Sequence, residues 1–296
     1  MTSTSVEPAG RSLRRRLAAS LYRHPRVQLS GLLALPLGWL LIAYLGSLAL
    51  MLVSAFWQID SFSGNTITEP TLDNFATLAE GEVYRTVAIR TIVIAALVTV
   101  TDIVLAFPIA YFMARVASPR VRGLLVVSIL LPLWSGYLVK VYAWRLILNE
   151  SGVLNWALDP IGLRGPGYGD VAVWLVMSYL WLPYMILPIY AGLERIPSSL
   201  LEASGDLGAR SGTTFRRVVL PLALPAVAAG SIFTFSLTLG DYITPTLVSG
   251  TQFIGNVVYS NISVNRPLAA AYALVPIVIM IGYLLLARRL GAFEEL

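Results

Sequence analysis

The residues most able to do chemistry in this sequence are the few charges inside its long apolar runs, namely Asp102, Lys140, Arg145 and Asp241. A charge at the depth of a bilayer core costs roughly 2.5–3.5 kcal/mol, so each should face a partner or a hydrated cavity. At about 1.5 Å of helix rise per residue, an Asp102–Lys140 pair would lie roughly 12 Å out of level. Lys140 and Asp241 lie closer in depth, and we therefore predict that these two side chains pair.

Asp102 is then left for solvent, for a solute, or for a hydroxyl neighbour such as Thr99 or Thr101. Two interpretations stay open for this carboxylate, a structural hydrogen bond and a place beside a transport path. Asp241 also has a second interpretation, as the polar end of a helix at the membrane surface. The composition alone does not separate these interpretations.

Two sets of aromatic residues recur at helical spacing. One helix face is expected to carry Trp134, Tyr137 and Trp144, and another is expected to carry Trp174, Trp181 and Tyr184. Such stripes usually pack or mark membrane interfaces, and lining a path is the alternative. Aromatic faces beside one carboxylate would suit a cationic solute through cation–π contacts. The candidates for lining a path are Asp102, Trp134, Tyr137, Lys140, Trp144, Trp181, Tyr184 and Asp241.

Several kinds of chemistry are excluded by the residues that the chain lacks. It has no cysteine and a single histidine, His24, so disulfides, thiol chemistry and a zinc or other metal centre are not expected. Its only lysine, Lys140, follows no GxxxxGK loop, so the chain should not hydrolyse ATP by that route or bind a cofactor of its own. The net charge of +5 comes from arginines beside apolar runs, which does not indicate nucleic-acid binding.

The elements that must position these residues are membrane helices. Of 296 residues, 57% are hydrophobic and only 12% are charged, and the apolar residues fall in blocks of roughly twenty, the length that crosses a bilayer as a helix. We predict an all-α membrane protein with six transmembrane helices. The predicted spans are Leu29–Trp57, Val87–Phe112, Gly123–Ile147, Val171–Gly192, Leu220–Tyr242 and Ala269–Ala287. Pro183 with Pro188, and Gly240 with Pro245, favour broken helices beside a path, although membrane helices are rich in proline anyway.

The arginines predict the orientation of the chain. Fifteen of the 21 basic residues fall in the N-terminal tail, the loop after span two, the stretch before span five and the C-terminal tail, whereas acidic residues dominate the other loops. The positive-inside bias therefore places both termini in the cytoplasm. We expect a basic tail over residues 1–28, a six-span domain over residues 29–290 with a cytoplasmic loop at 194–219, and a tail over residues 291–296.

That cytoplasmic loop is polar but orderly. Pro197 ends the preceding helix, and Ser199 with Glu202 has the spacing of a capping box. Gly208 can end the short helix in the left-handed conformation, and Thr213 or Thr214 can cap a second short helix. The pattern predicts a helix–turn–helix excursion. From physics alone, it is either an interfacial hairpin resting on lipid headgroups or a docking surface for a soluble partner.

The loop also resembles the signature of ABC importer permeases, Glu-Ala-Ala, three residues, Gly, nine residues, Ile-x-Leu-Pro. Here Glu202-Ala203-Ser204 is followed at that spacing by Gly208 and then by Val218-Val219-Leu220-Pro221. The departures are serine for alanine and valine for isoleucine. The resemblance implies the type I permease fold with a coupling helix that sits in a groove of an ATP-hydrolysing subunit. The implied coupling residues are Glu202, Ala203 and Gly208, with Ser204, Asp206 and Leu207 on the same short helix.

The resemblance extends from about the first span to the sixth. PIAYFMAR (Pro108–Arg115), YAWRLIL (Tyr142–Leu148), LPYMILPIYAGLERIP (Leu182–Pro197) and LGDYITP (Leu239–Pro245) are similar to permeases of the spermidine/putrescine type. Lys140 departs from them, since many relatives have arginine there. The resemblance implies a bacterial inner-membrane permease for a small cationic solute such as a polyamine, moved by alternating access.

The implied partners are cytoplasmic ATP-binding subunits, which use ATP and magnesium, a second permease subunit, a periplasmic or lipid-anchored solute-binding protein, and membrane lipid. Related permeases are assigned opines or amino-acid-like solutes, which is one alternative. A secondary transporter driven by an ion gradient is the alternative from another class. It explains the spans and Asp102 but gives no reason for the spacing of the cytoplasmic loop.

Overall fold

A computed structural model describes residues 25–60 and 63–289 of the chain as a largely helical protein that forms two units, divided after Ser54. The first unit contains one long helix in three segments, α1 (Pro25–Trp39), a π-helical stretch (Leu40–Leu45) and α2 (Gly46–Ser54). The first predicted span is therefore helical over Leu29–Ser54. The predicted tails, residues 1–28 and 291–296, lie outside the described residues, apart from residues 25–28 at the start of α1.

The second unit contains the remaining helices and one antiparallel pair of two-residue strands, β1 (Gln58–Ile59) and β2 (Thr66–Ile67). Its helices are α3 (Asp73–Glu80), α4 (Glu82–Tyr111), α5 (Pro119–Trp134), α6 (Tyr137–Leu148), α7 (Val153–Leu158), α8 (Asp170–Arg195), α9 (Ser198–Asp206), α10 (Ser211–Thr214), α11 (Leu220–Gly240), α12 (Ile243–Val248), α13 (Ile254–Asn261) and α14 (Arg266–Arg289). A π-helical stretch, Phe112–Val116, extends α4, and another, Phe215–Val219, joins α10 to α11. The chain is thus an all-α membrane protein.

Five helices in the described part of the chain are long and apolar enough to cross a membrane, and the pair α5–α6 makes a sixth span if its bend is counted within one crossing. The prediction of one continuous helix over Gly123–Ile147 is wrong, because α5 and α6 meet at an angle of 93°. The backbone is extended at Ser135 and Gly136. Pro132 withholds an amide from the last turn of α5, and the Ser135 hydroxyl donates to the Pro132 carbonyl at 2.8 Å, which stabilises the break.

The two proline predictions have different outcomes. Helix α8 runs without interruption through Pro183 and Pro188, so the predicted break in the fourth span is wrong. Its neighbours pack closely on this stretch, and such packing allows a membrane helix to tolerate proline. The fifth span does end at Gly240, and Pro245 lies in the separate short helix α12, as the second proline prediction requires.

The core of the second unit is the contact among α4, α8 and α11. Small residues allow α8 and α11 to approach closely, as is common in membrane bundles. A Cβ atom on Gly192 would lie 2.3 Å from the Ala226 side chain, and one on Gly230 would lie 2.9 Å from the Met185 sulfur and 3.3 Å from its backbone. Either glycine could be replaced only if the two helices moved apart.

Side-chain contacts define the directions of these helices. Arg90 of α4 pairs with Asp170 at the start of α8, and Arg115 at the other end of α4 contacts the last turn of α8, so α4 and α8 are parallel. Helix α11 is antiparallel to them, because Phe215, just before it, packs on Phe107 of α4. We call the end that contains residues 112–122 and 193–217 the basic end of the bundle, and the other the opposite end.

Candidate coupling loop and transport path

The loop between α8 and α11 contains the short helix α9 at the basic end of the bundle. Helix α9 ends at Asp206, and Gly208 follows with φ of +79°, a left-handed conformation that glycine adopts without strain. The Ala209 amide donates to the Ser204 carbonyl at 3.1 Å across this turn. The predicted stop at Gly208 is therefore confirmed by the backbone.

The predicted caps of the loop are wrong. Helix α9 begins at Ser198 after Pro197, and no side chain caps it, so Ser199 and Glu202 do not form a capping box. The helix starts two residues earlier than predicted because Pro197 itself is the N-cap residue, with extended backbone angles and no amide that needs a partner. This moves Ser199 from the predicted cap position into the first turn.

The second predicted short helix is instead the beginning of the fifth span. The chain is helical from Ser211 through the π-helical stretch to Gly240, so Thr213 and Thr214 lie inside a helix and cap nothing. Thr214 has another contact, since its hydroxyl lies 2.9 Å from the Ser204 hydroxyl and ties α10 to α9. The loop is therefore one short helix, a glycine turn and the start of a span.

The coupling candidates lie together on this helix and turn. Those with exposed side chains or backbone are Glu202, Ala203, Asp206, Leu207 and Gly208, whereas Ser204 is half-buried. Leu207 is 89% exposed, and Leu201 on the other face packs into the core. An open groove of about 580 Å³ runs between α9 and the start of the fifth span, with Leu200, Ala203 and Leu207 on one side. The helix thus presents an apolar edge and two carboxylates outward.

At the opposite end, Asp241 organises the turn after α11. Its Oδ1 accepts the amides of Ile243 and Thr244 at 2.9 and 3.2 Å, which caps the first turn of α12. Its Oδ2 accepts the Tyr137 hydroxyl at 2.5 Å and the Thr244 hydroxyl at 2.7 Å. The Tyr137 ring stacks on Trp181 with centroids 5.9 Å apart, so Asp241 connects α6, α8 and α12.

The predicted Lys140–Asp241 pair is wrong. The carboxylate of Asp241 instead accepts the hydroxyl of Tyr137, which lies one helical turn before Lys140 on α6. Its other donors are the amides and the hydroxyl at the start of α12. Lys140 is half-buried and forms no ion pair in the part of the chain that the structure describes. The break at Ser135 and Gly136 turns α6 so that its first residue, rather than Lys140, reaches Asp241.

Asp102 lies in the middle of α4 with no exposed surface. Both of its carboxylate oxygens lack a hydrogen-bond partner among the described residues. Neither of the two expected hydroxyls binds it, because Thr99 donates to the Ala95 carbonyl at 2.7 Å and Thr101 accepts from Trp174 Nε1 at 3.0 Å. A role of Asp102 in transport stays a prediction.

Only one of the two predicted stripes is interrupted, because Trp174, Trp181 and Tyr184 lie on the unbroken helix α8 at the predicted spacing. Trp134 is 91% exposed at the end of α5, and the bend separates it from Tyr137 and Trp144 on α6. Trp144 contacts Tyr179 of α8 with centroids 5.4 Å apart. Trp181 contacts Tyr184 at 6.0 Å, and its indole nitrogen is buried without a partner among the described residues. Tyr137, Trp181 and Tyr184 are thus the candidates that the structure brings into one aromatic group.

Some contacts at both ends of the bundle were not predicted from the sequence. Arg115 and Arg122 were used only to orient the chain, although each contacts the last turn of α8. Thr244 was not identified as a partner of Asp241, although an aspartate at a helix start commonly accepts backbone amides two or three residues later. This spacing is the signal that could have identified the local half of the Asp241 network.

Relatives of the chain are membrane permeases. It is 44% identical over 299 residues to the inner membrane ABC transporter permease protein YdcU of Escherichia coli, with 95% of each chain covered. It is 30% identical over 240 residues to the spermidine/putrescine transport system permease protein PotB of Haemophilus influenzae, with 79% of this chain and 82% of the relative covered.

Among solved structures, a bacterial alginate ABC transporter in complex with an alginate pentasaccharide-bound periplasmic protein has a similar fold, with a TM-score of 0.72 at 19% identity. The similarity covers 93% of this chain and 97% of that one. The family described as the binding-protein-dependent transport system inner membrane component matches residues 106–292, which include the loop, Asp241 and Tyr137. The chain therefore belongs to that family, the permeases of ABC importers, and has the type I permease fold.

Proposed function

We propose that this chain is the permease subunit of an ATP-driven importer that moves a small cationic solute of the polyamine class into the bacterial cytoplasm by alternating access. The observation that carries the proposal is the short helix α9, which presents Glu202 through Gly208 outward at the basic end of a six-span permease. In a permease without ATP-binding residues, such a helix supplies the surface on which an ATPase can act. The basic end then faces the cytoplasm, in agreement with the placement of arginines.

The partners of the proposed importer follow from the two ends of the bundle. Cytoplasmic ATP-binding subunits, which use ATP and magnesium, dock on α9, and a second permease subunit completes the path. A solute-binding protein, periplasmic or lipid-anchored, docks at the opposite end. The alginate transporter whose fold is similar was solved with its periplasmic protein, which supports this partner. Lipid surrounds the exposed apolar helix faces.

A polyamine is the proposed solute because a spermidine/putrescine permease is 30% identical to this chain. The aromatic group of Tyr137, Trp181 and Tyr184 can contribute cation–π contacts to an ammonium group. An opine or an amino-acid-like solute is the alternative within the same class of permease. It would carry a carboxylate, and the path would then need a cation such as Lys140, whose ammonium has no ion pair in the described residues.

Uptake by the complete importer in proteoliposomes tests the solute and the energy source together. We expect radiolabelled spermidine or putrescine to enter when ATP is supplied to the ATPase side and the binding protein to the other side. Uptake of an opine or an amino acid with none of spermidine would overturn the polyamine proposal. Uptake driven by an ion gradient, without ATP, would favour a secondary transporter instead.

Two variants of α9 test the docking surface. Glu202→Lys and Gly208→Pro should leave membrane insertion intact but abolish transport, because the first reverses an exposed charge and the second forbids the φ of +79° at the turn. Glu202→Asp, which keeps the charge at the same position, is the matched control for Glu202→Lys. Normal uptake by both loop variants would contradict the assignment of α9 to coupling.

A further inference from the structure

Arg115 joins the end of α4 to the chain segment that leads into α9. Its Nη2 donates to the carbonyls of Leu193 and Ile196, each at 2.6 Å. These carbonyls lie at the carboxyl end of α8, where the backbone has no helical partner and a positive charge is favoured. A planar guanidinium can hold two carbonyls in fixed geometry, which a lysine ammonium does less well.

Arg122 makes a second connection from the first turns of α5. Its Nε donates to the Met113 carbonyl at 3.0 Å, and its Nη1 pairs with Glu194 at 3.1 Å. Glu194 also accepts the Tyr190 hydroxyl at 3.0 Å. Arg122 therefore fastens the turn between α4 and α5 to the last turn of α8, directly before Pro197 and α9.

The other flank of α9 is also held by α4. Phe215, five residues before α11, packs edge-on against Phe107 and Tyr111 with ring centroids 5.5 and 6.0 Å away. The Ser204–Thr214 contact fastens α9 to this flank. Both chain segments that enter α9 are consequently anchored on the basic end of α4, whereas the outer face of α9 is free for a partner.

We propose that Arg115 and Arg122 are positioning residues that transmit a displacement of α9 to α4 and α5. This inference rests on the proposed function, since it requires that an ATPase moves α9. A push on α9 reaches α8 through the backbone, and it reaches α4 and α5 through the guanidinium contacts with residues 193–196. Helices α4, α5 and α8 then move together. The break at Ser135 and Gly136, between α5 and α6, lies at the end of α5 away from these contacts.

The test compares ATP hydrolysis with solute uptake in the assembled importer. Arg115→Ala and Arg122→Ala should lower the number of solutes moved per ATP by about tenfold, the size expected when a charge-assisted contact is lost. Arg115→Lys should recover part of this ratio. Arg120→Ala is the matched control, because Arg120 is an exposed arginine in the same turn. Co-purification of the ATPase should be unchanged in all four variants.

A distance measurement separates transmission from simple destabilisation. The chain has no cysteine, so spin labels can be placed at Gly205→Cys on α9, where a side chain meets no atom within 4 Å, and at Leu124→Cys on the exposed face of α5. On ATP binding, the two labels should keep their separation in the otherwise unchanged chain. In Arg115→Ala, the distance between the labels should increase or its distribution should broaden.

The outcomes distinguish the two proposals. A full transport-to-hydrolysis ratio and an unchanged label distance in Arg115→Ala and Arg122→Ala would overturn the role of the arginines while leaving the importer intact. Failure of the proposed function would instead be seen in the unaltered chain, as an absence of ATP-driven uptake. If Arg115→Ala does not assemble, Glu194→Gln removes the Arg122–Glu194 ion pair from the α8 side and should still lower the ratio.

Discussion

Asp102 and Asp241 are both buried carboxylates in an apolar bundle, yet their surroundings differ. Asp241, 8% exposed, accepts four hydrogen bonds from two amides and two hydroxyls. Asp102, with no exposed surface, accepts none from the described residues. Burying a carboxylate costs several kcal/mol unless bonds repay it. Asp241 therefore stabilises this conformation, whereas Asp102 forms no hydrogen bond in the described residues and is the better candidate for a role during transport.

The surroundings of Asp102 strengthen this contrast. Ser178 and Trp181 of α8 and Thr234 of α11 also have buried polar atoms without partners among the described residues. Thr101, next to Asp102, contacts Trp174 of α8, so Ser178 and Trp181 lie about one and two helical turns further along that helix, at about 5.4 Å per turn. Gly230 of α11 faces Met185 of α8, and Thr234 lies one turn from Gly230, toward the level of Trp181. One level of the three-helix core is therefore polar and unsatisfied, whereas the Asp241 level is fully bonded.

The largest effect should follow from removing the Asp241 carboxylate. Asp241→Ala leaves two amides without their acceptor and leaves the Tyr137 hydroxyl only the Thr244 hydroxyl at 2.8 Å, and we expect the free energy of unfolding to fall by about 3–5 kcal/mol, as for other broken buried networks. Denaturation of the purified permease in bicelles measures this loss. Asp241→Asn, which keeps one carbonyl acceptor, should lose less. A loss below that of Asp241→Asn would contradict the structural role.

A smaller effect should follow from removing only the long-range bond. Tyr137→Phe keeps the ring stacked on Trp181 but deletes the hydroxyl that Asp241 accepts, and we expect a loss of about 1–3 kcal/mol. Tyr142→Phe on the same helix is the control, because its hydroxyl has no carboxylate acceptor among the described residues. Equal losses in the two variants would mean that the bond to Asp241 contributes little.

Sequence patterns predict the six spans, their order and the glycine stop of the loop, because these depend on local hydrophobicity and on one backbone angle. They also locate both buried aspartates. They do not predict which aspartate is satisfied, since Tyr137 lies 104 residues from Asp241 along the chain. Nor do they predict the break at Ser135 and Gly136, which turns Tyr137 rather than Lys140 toward Asp241. Contacts of this kind depend on tertiary packing, which periodicity does not encode.

Neutralising Asp102 should change transport more than stability. Asp102→Asn keeps the shape of the side chain and removes a carboxylate that has no partner in the described residues, so the free energy of unfolding should stay within about 1 kcal/mol or rise. Uptake of a cationic solute should fall about fivefold, which corresponds to losing roughly 1 kcal/mol of charge interaction. Uptake assays measure the effect on transport, and co-purification of the ATPase shows that the variant still assembles. Unchanged uptake would remove Asp102 from the path.

The smallest effect is expected at Lys140, and it sharpens the comparison because Lys140 lies one turn after Tyr137 on α6. If Asp241 is satisfied as the structure shows, Lys140→Met deletes a half-buried ammonium that has no ion pair in the described residues. The free energy of unfolding should then change by less than about 0.5 kcal/mol. A Lys140–Asp241 pair predicts a different pattern, in which Lys140→Met and Asp241→Ala destabilise together and the double variant loses little more than either alone. Combining Asp241→Ala with Lys140→Met and, separately, with Tyr137→Phe therefore decides which neighbour holds Asp241, because only the true partner should show coupling with Asp241.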